Sequence, residues 1–317
     1  MGPTASGKTG LAIALRRHLP VELISVDSAM IYRGMDIGTA KPNAEVLAKN
    51  PHRMIDICDP AEAFSVADFL REAKFHMDEI TRQGRIPLLV GGTMLYFRSL
   101  LDGLAVIPPT APEVRVAIAA RAEAKGWPAL HGELEKVDPE TAKIIHPNHS
   151  RRIQRALEVF ESTGKPISYY RNLHKQGGQA VPGVAECYRV VQLALFPEDR
   201  RQLHLDIAGR FRAMLEAGFE EEVKRLYERS DLSENSPSVR AVGYQQMWQY
   251  LSGSVNYGQM VEQGIVATRQ LAKRQFTWLR KWDELYGLSV DKGLGNTKIM
   301  EQLVDNALKT LTIEHIY

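Results

Sequence analysis

The chain is poor in cysteine, has no long apolar run and carries almost no excess of either charge. Cys58 and Cys187 are its two cysteines. They lie far apart, with no C-x-x-C spacing and no nearby histidine pair, so neither a disulfide scaffold nor a zinc site is readable. That usage fits a reducing, cytoplasmic setting. No stretch approaches the roughly 20 apolar residues that span a bilayer, and the N-terminus has no signal-peptide core, which argues against a membrane partner and against export. Forty Lys and Arg stand against 38 Asp and Glu, a net charge of +2. This excludes a histone-like polycation but not nucleic acid, because phosphate binding depends on where cations cluster and not on their sum.

What remains is 317 residues, 44% hydrophobic and 25% charged, ordinary for a folded protein and long enough for one large domain with an insertion or for two smaller ones. Over residues 1–104 short apolar runs alternate with amphipathic stretches, the pattern of a parallel α/β sheet. VELISVD (21–27) and RIPLLVG (85–91) are expected strands, and residues 63–81 space their apolar side chains as a helix packed on the sheet. The proline-rich IPPTAP (107–112) marks a boundary. Helical patterns at 112–125, 128–137 and 149–163 follow, so 108–187 is expected to be an all-helical insertion into a catalytic domain formed by 1–107 and 188–317. A flexible loop at 176–183 and a strand at 188–194 should return the chain to the sheet. Helices are then expected at 200–217, 219–228, 239–250 and 257–282.

The sharpest motif is Gly2-Pro3-Thr4-Ala5-Ser6-Gly7-Lys8-Thr9, a full match to G-x-x-x-x-G-K-S/T. Its glycines let backbone N–H groups wrap around phosphate, a following helix adds its positive end, Lys8 supplies a point charge, and Thr9 is the expected hydroxyl ligand of Mg²⁺. Such a loop follows a buried strand, and none precedes Gly2, so the first strand is expected to be missing, at some cost in stability. A nucleotide hydrolase would also need a strand ending in Asp to hold Mg²⁺. RIPLLVG ends instead in Gly91-Gly92-Thr93, while VELISVD ends in Asp27, either a turn residue or the one base near the loop. A phosphate cradle with one base and no water-activating pair points to group transfer.

Two basic clusters complete the reading. Residues 146–175 hold six Lys or Arg and two acids, and residues 266–281 hold five and no acid, interleaved with Phe276 and Trp278. Basic side chains reach phosphates while aromatics stack on unpaired bases, as RNA loops require; a solvated amphipathic helix would look similar. The readings left open are a group transfer to RNA, a small-molecule P-loop kinase, a group transfer to a free nucleotide such as AMP, and an RNA-binding protein without catalysis.

Taken together, GPTASGKT (2–9), ELISVDSAMIYRGMDIGTAKP (22–42), PHRMIDI (51–57), GRIPLLVGGTMLYF (84–97), IHPNHSRRIQRALEV (145–159), RFRAMLEAGFEEEV (210–223), SVRAVGYQQMW (238–248) and ATRQLAKRQFTWLR (267–280) resemble the tRNA dimethylallyltransferase (tRNA isopentenyltransferase) family in its bacterial form. The resemblance implies a P-loop NTPase-like parallel sheet flanked by helices, with an inserted helical domain gripping the anticodon stem of tRNA. It implies a Mg²⁺-dependent transfer from dimethylallyl diphosphate to N6 of the adenosine 3′-adjacent to the anticodon, in tRNAs reading codons that begin with U, by a monomer. Gly2 to Thr9 would bind diphosphate, with Thr9 at the metal. Asp27 would be the base, and Thr93, Arg210 and Lys8 would hold the departing diphosphate. The tRNA would meet Asp27, Ser28, Ala29, Met30, Thr93 and Arg115. It would also meet Arg151, Arg152, Ile153, Gln154 and Arg155; Arg240, Ala241, Val242, Gly243, Tyr244 and Gln245; and Lys273, Arg274, Gln275, Phe276, Thr277, Trp278, Leu279 and Arg280.

Overall fold

A computed structural model of the chain describes residues 1–178, 180–290 and 296–314. It divides into two compact units, Met1–Ser99 with Tyr188–Tyr317, and Leu100–Cys187.

The first unit opens with the glycine-rich loop and α1 (Lys8–Leu15), followed by β1 (Val21–Val26), α2 (Ala44–Lys49), β2 (His52–Arg53), α3 (Val66–Arg82), β3 (Ile86–Gly91) and α4 (Met94–Asp102), whose last turn enters the second unit. The second unit carries β4 (Leu104–Ala105), α5 (Pro112–Lys125), α6 (Trp127–Val137), α7 (Pro139–Ile144), α8 (Ser150–Thr163), α9 (Ile167–Lys175) and β5 (Ala180–Val181). The chain then returns through β6 (Leu193–Pro197), α10 (Arg200–Glu216), α11 (Phe219–Tyr227), α12 (Tyr244–Leu251), α13 (Tyr257–Leu279), β7 (Tyr286–Val290) and α14 (Asn296–Ile313).

Both expected N-terminal strands form and pair in parallel, in the order β2-β1-β3, with Val21 opposite Ile86 and Val26 opposite Gly91. Their apolar runs bury because helices cover a parallel sheet. Ser65 starts α3 with a reciprocal capping box to Asp68, and Phe69, Leu70, Ala73, Met77 and Ile80 form its buried face. Each such buried apolar side chain contributes about 1.5–3 kcal/mol relative to exposure.

Two expectations about the sheet are corrected. The returning strand is 193–197, not 188–194, and it does not join β1 or β3: β6 pairs in parallel with β7, forming a second small sheet. Met1 lies against that second sheet, receiving the N–H of Leu195 at 3.0 Å. Leu11, Leu15, Val21, Leu195, Leu288 and Leu303 share one core, which packs α1 and α14 with apolar side chains of both sheets. The structure is therefore mixed α/β with small parallel sheets and many helices.

Leu100–Cys187 has its own core, with Ile118, Leu130, Leu134 and Ile153 fully buried. It is not purely helical. β4 and β5 pair antiparallel, Leu104 opposite Val181, which places strand β5 inside the loop expected at 176–183; residue 179 of that loop lies outside the described residues. The compact unit begins at Leu100, ahead of the proline-rich segment 107–112.

Candidate active site

The turn into α1 is built by backbone conformations that few residues tolerate. Ala5 has φ +62° and Gly7, the residue before the helix, has φ +88°, where a glycine carries no penalty. No side chain caps the first turn of α1, so its N–H groups and its positive end stay open to an anion. Ser6 Oγ is buried with no hydrogen-bond partner, on the side of the loop that faces Gly2. These features fit a diphosphate. Among the described residues no group of three or more His, Cys, Asp or Glu could form a protein cage for a metal ion. Mg²⁺ does not need one: it keeps several waters and binds through one or two protein oxygens plus phosphate, and the hydroxyl of Thr9 beside the same cavity can provide such an oxygen.

That cavity, of about 280 Å³, is lined by Thr4 to Gly10, Asp27, Ala29, Met30, Gly38 to Ala40, Gly91, Gly92 and Arg210. An apolar wall of Ile207, Phe211, Met214, Ala241, Val242 and Leu271 completes it. Two cations face it. Lys8 Nζ donates to the Pro3 carbonyl at 2.6 Å, and burial lowers its pKa to about 8, partly opposed by Asp27 and reinforced by Arg210. Arg210 donates to Thr4 Oγ1, and burial lowers its pKa too, again opposed by Asp27. One carboxylate thus stands against two desolvated cations.

Asp27 ends β1 and serves as a turn residue as well, its Oδ1 accepting from the N–H of Ala29 at 2.9 Å and of Met30 at 3.3 Å. Both readings left open by the sequence are compatible, since one oxygen holds the turn. Thr93 stands at the end of β3, against the turn after β1. Its hydroxyl accepts from the Ser28 N–H at 3.1 Å, tying the turn after β1 to the end of β3, and the residue does not line the cavity. Gly2 and Pro3 are likewise buried behind the loop, where Pro3 orients Lys8.

Five residues expected to meet tRNA are buried, and two of them, Tyr244 and Gln275, line the cavity. Ile153 fills the inserted core, because α8 turns its apolar stripe inward. Gly243 and Tyr244 lie under the loop after β1, and Leu279 is 2% exposed. Gln275 is 7% exposed because it bridges the site: Oε1 accepts the Thr4 N–H at 2.8 Å and Nε2 donates to the Gly92 carbonyl at 2.8 Å. Phe276 is half-buried against Leu203, Ile207 and Ala272. Ala241 and Val242 line the cavity instead. Ser28, Arg151, Arg152, Arg240, Gln245, Lys273, Arg274, Thr277, Trp278 and Arg280 are exposed, and Gln154 is half-buried. Arg115 and Arg155 reach Glu158, a carboxylate 2% exposed, at 3.0 and 3.7 Å.

The sequence reading missed the Gln275 bridge, the apolar wall of α10 and α13, and Glu222 beneath the loop after β1. Their signal was a polar residue at a core position of an otherwise periodic helix.

The family model described as IPP transferase matches residues 30–282. The chain is similar to the full-length tRNA isopentenylpyrophosphate transferase from Bacillus halodurans, with 37% identity over 99% of this chain and 96% of that one, and a TM-score of 0.67. It is also similar to tRNA delta(2)-isopentenylpyrophosphate transferase from Staphylococcus epidermidis, with 32% identity over 98% and 97% of the two chains and a TM-score of 0.66. A eukaryotic dimethylallyltransferase acting on tRNA shares 25% identity over 99% of this chain and 78% of that one, with a TM-score of 0.80. With a match over most of its length and a cavity of the required chemistry, the chain belongs to the IPP transferase family.

Proposed function

We propose that the protein transfers a dimethylallyl group from dimethylallyl diphosphate to the exocyclic N6 of the adenosine 3′-adjacent to the anticodon, in tRNAs reading codons that begin with U. The observation that carries this is the single cavity in which an open phosphate loop, two desolvated cations, one carboxylate and an apolar wall converge. Family membership and the tRNA-directed enzymes it resembles support the same reading.

In the reaction the allylic C–O bond breaks and its electron pair leaves on the diphosphate. Lys8, Arg210 and the open N–H groups of α1 stabilise that growing charge, each donor contributing a few kcal/mol, about 3, in comparable sites. Mg²⁺, held by Thr9 and the diphosphate oxygens, would supply further charge neutralisation. The lone pair of N6 forms the new C–N bond, and Asp27 accepts the proton that N6 sheds. The apolar wall takes the five-carbon chain and keeps water from the allylic carbon. The adenine must leave its stack to arrive there. Exposed Lys273, Arg274 and Arg280, with Trp278, and the basic face of residues 100–187 bind the anticodon arm through its phosphates and unpaired bases.

No described helix is long and apolar enough to cross a membrane. We place the activity in the cytoplasm, on a monomer. Incubation with dimethylallyl diphosphate, Mg²⁺ and unmodified tRNA should yield a prenylated adenosine by mass spectrometry of the digested RNA. Prenylation of free AMP without tRNA, or phosphoryl transfer from ATP, would overturn the reading.

A further inference from the structure

Glu222 belongs to the run 210–223, yet it lies outside the cavity lining. It is 2% exposed, and its carboxylate accepts four hydrogen bonds. Oε2 receives the N–H groups of Asp36 at 2.9 Å and Ile37 at 2.8 Å; Oε1 receives the N–H of Gly38 at 3.1 Å and the hydroxyl of Tyr244 at 2.5 Å. Three successive N–H groups turned to one point form an anion-binding nest, and the anion here is the protein's own side chain. The two carboxylate oxygens satisfy all four donors. The loop is pressed close against the same helices. A Cβ on Gly38 would lie 2.1 Å from Phe219 Cε2 and 2.6 Å from Tyr244 Cε2.

From this nest a chain of polar contacts leads to the base. The Asp36 carboxylate receives Lys41 Nζ at 2.5 Å, and the same ammonium reaches Asp56 at 2.6 Å. The Lys41 side chain is 3% exposed, while those of Asp36 and Asp56 are 58% and 42% exposed. The Asp56 N–H donates to the Met30 carbonyl at 3.2 Å, and the Met30 N–H donates to Asp27 Oδ1 at 3.3 Å. The phosphate loop is held from elsewhere, by Gln275 on Thr4 and by Pro3 on Lys8.

We propose that Glu222 is a positioning residue for the RNA-acceptor side of the reaction, setting the 36–40 loop and through Lys41 and Asp56 the turn that carries Asp27. This rests on the tRNA-prenylation reading above.

Glu222→Gln keeps the shape but turns an amide N–H₂ toward groups that are themselves donors. At a temperature well below melting it should raise the KM for tRNA about tenfold, with the KM for dimethylallyl diphosphate changed less than about twofold. Tyr244→Phe removes one donor and keeps the ring, and should shift the tRNA KM in the same sense by about threefold. Lys41→Met breaks the chain outside the nest, and should reproduce the split even if Glu222→Gln does not fold. A lowered melting temperature with both KM values unchanged in all three variants would overturn the proposal, as would an equal rise in both. No prenylated RNA from the unaltered protein would overturn it together with the function on which it rests; unaltered activity with unchanged variants would overturn the positioning role alone.

Discussion

Lys8 and Arg210 face the cavity with their pKa values lowered by burial, whereas Arg115, in the inserted unit, has its pKa raised by a hydrogen bond to the buried Glu158. The cations of the cavity stand two against one carboxylate, in surroundings that disfavour their charge. They are poised for an incoming anion, and binding one relieves the electrostatic cost that folding left. The arginine of the insertion already has its partner. Its guanidinium is held in place and gains little more from a phosphate, so it orients the surface, while unpaired exposed cations carry the attraction to RNA.

The comparison breaks most easily at Asp27. Asp27→Asn still offers an oxygen to Ala29 and Met30 but cannot accept the proton of N6, so kcat should fall about 10²–10⁴-fold while tRNA affinity measured by filter binding holds. Turnover near normal would show that the carboxylate only shapes the turn.

Lys8→Met should lower kcat/KM for dimethylallyl diphosphate about 10²–10³-fold. The pH dependence sharpens the point. Lys8 is charged below its pKa of about 8, so the KM for the diphosphate should rise as pH goes from 7 to 9, and this dependence should vanish in the variant. Unfolded, the same lysine keeps its proton up to its ordinary value of 10.5. Between about 8 and 10.5 the unfolded chain therefore binds more protons, and the contribution of Lys8 to stability increases with pH across that window; thermal melts of both proteins would show the difference.

In the inserted unit the effects should be smaller. Glu158→Gln leaves Arg115 and Arg155 without their anion and should cost about 2 kcal/mol of stability in a denaturant titration, with tRNA affinity changed less than about threefold. Arg152→Ala, at an exposed position, should reduce the slope of log affinity against log salt by about one and leave kcat unchanged. A large kcat loss there would erase the distinction between the two cationic regions.

Much of this was legible before any coordinates. The phosphate loop, β1, β3 and α5 follow from local rules: glycines where φ is positive, apolar runs of strand length, and proline at a helix start. What was not legible was the long-range bonding of buried polar residues. Gln275 and Tyr244 look like tRNA contacts in sequence, yet the first bonds Thr4 and Gly92 and the second bonds Glu222, partners more than 20 positions away in every case. No local pattern encodes such a pairing. The separation of β6 and β7 from the first sheet was hidden for the same reason, since strand partners depend on which edges meet in space.

By itself, then, the sequence determined a glycine-rich loop before a helix, a carboxylate at a strand end, a helix-rich insertion and two basic clusters, because each rests on short-range geometry or on charge density. Tertiary structure alone decided which polar groups became buried links, that Thr93 ties two strand ends together, and that Glu222 holds the loop beside Asp27. Burial is a property of the packed whole, and it is burial that converts an ordinary Glu, Gln or Lys into a group whose hydrogen bonds must all be satisfied.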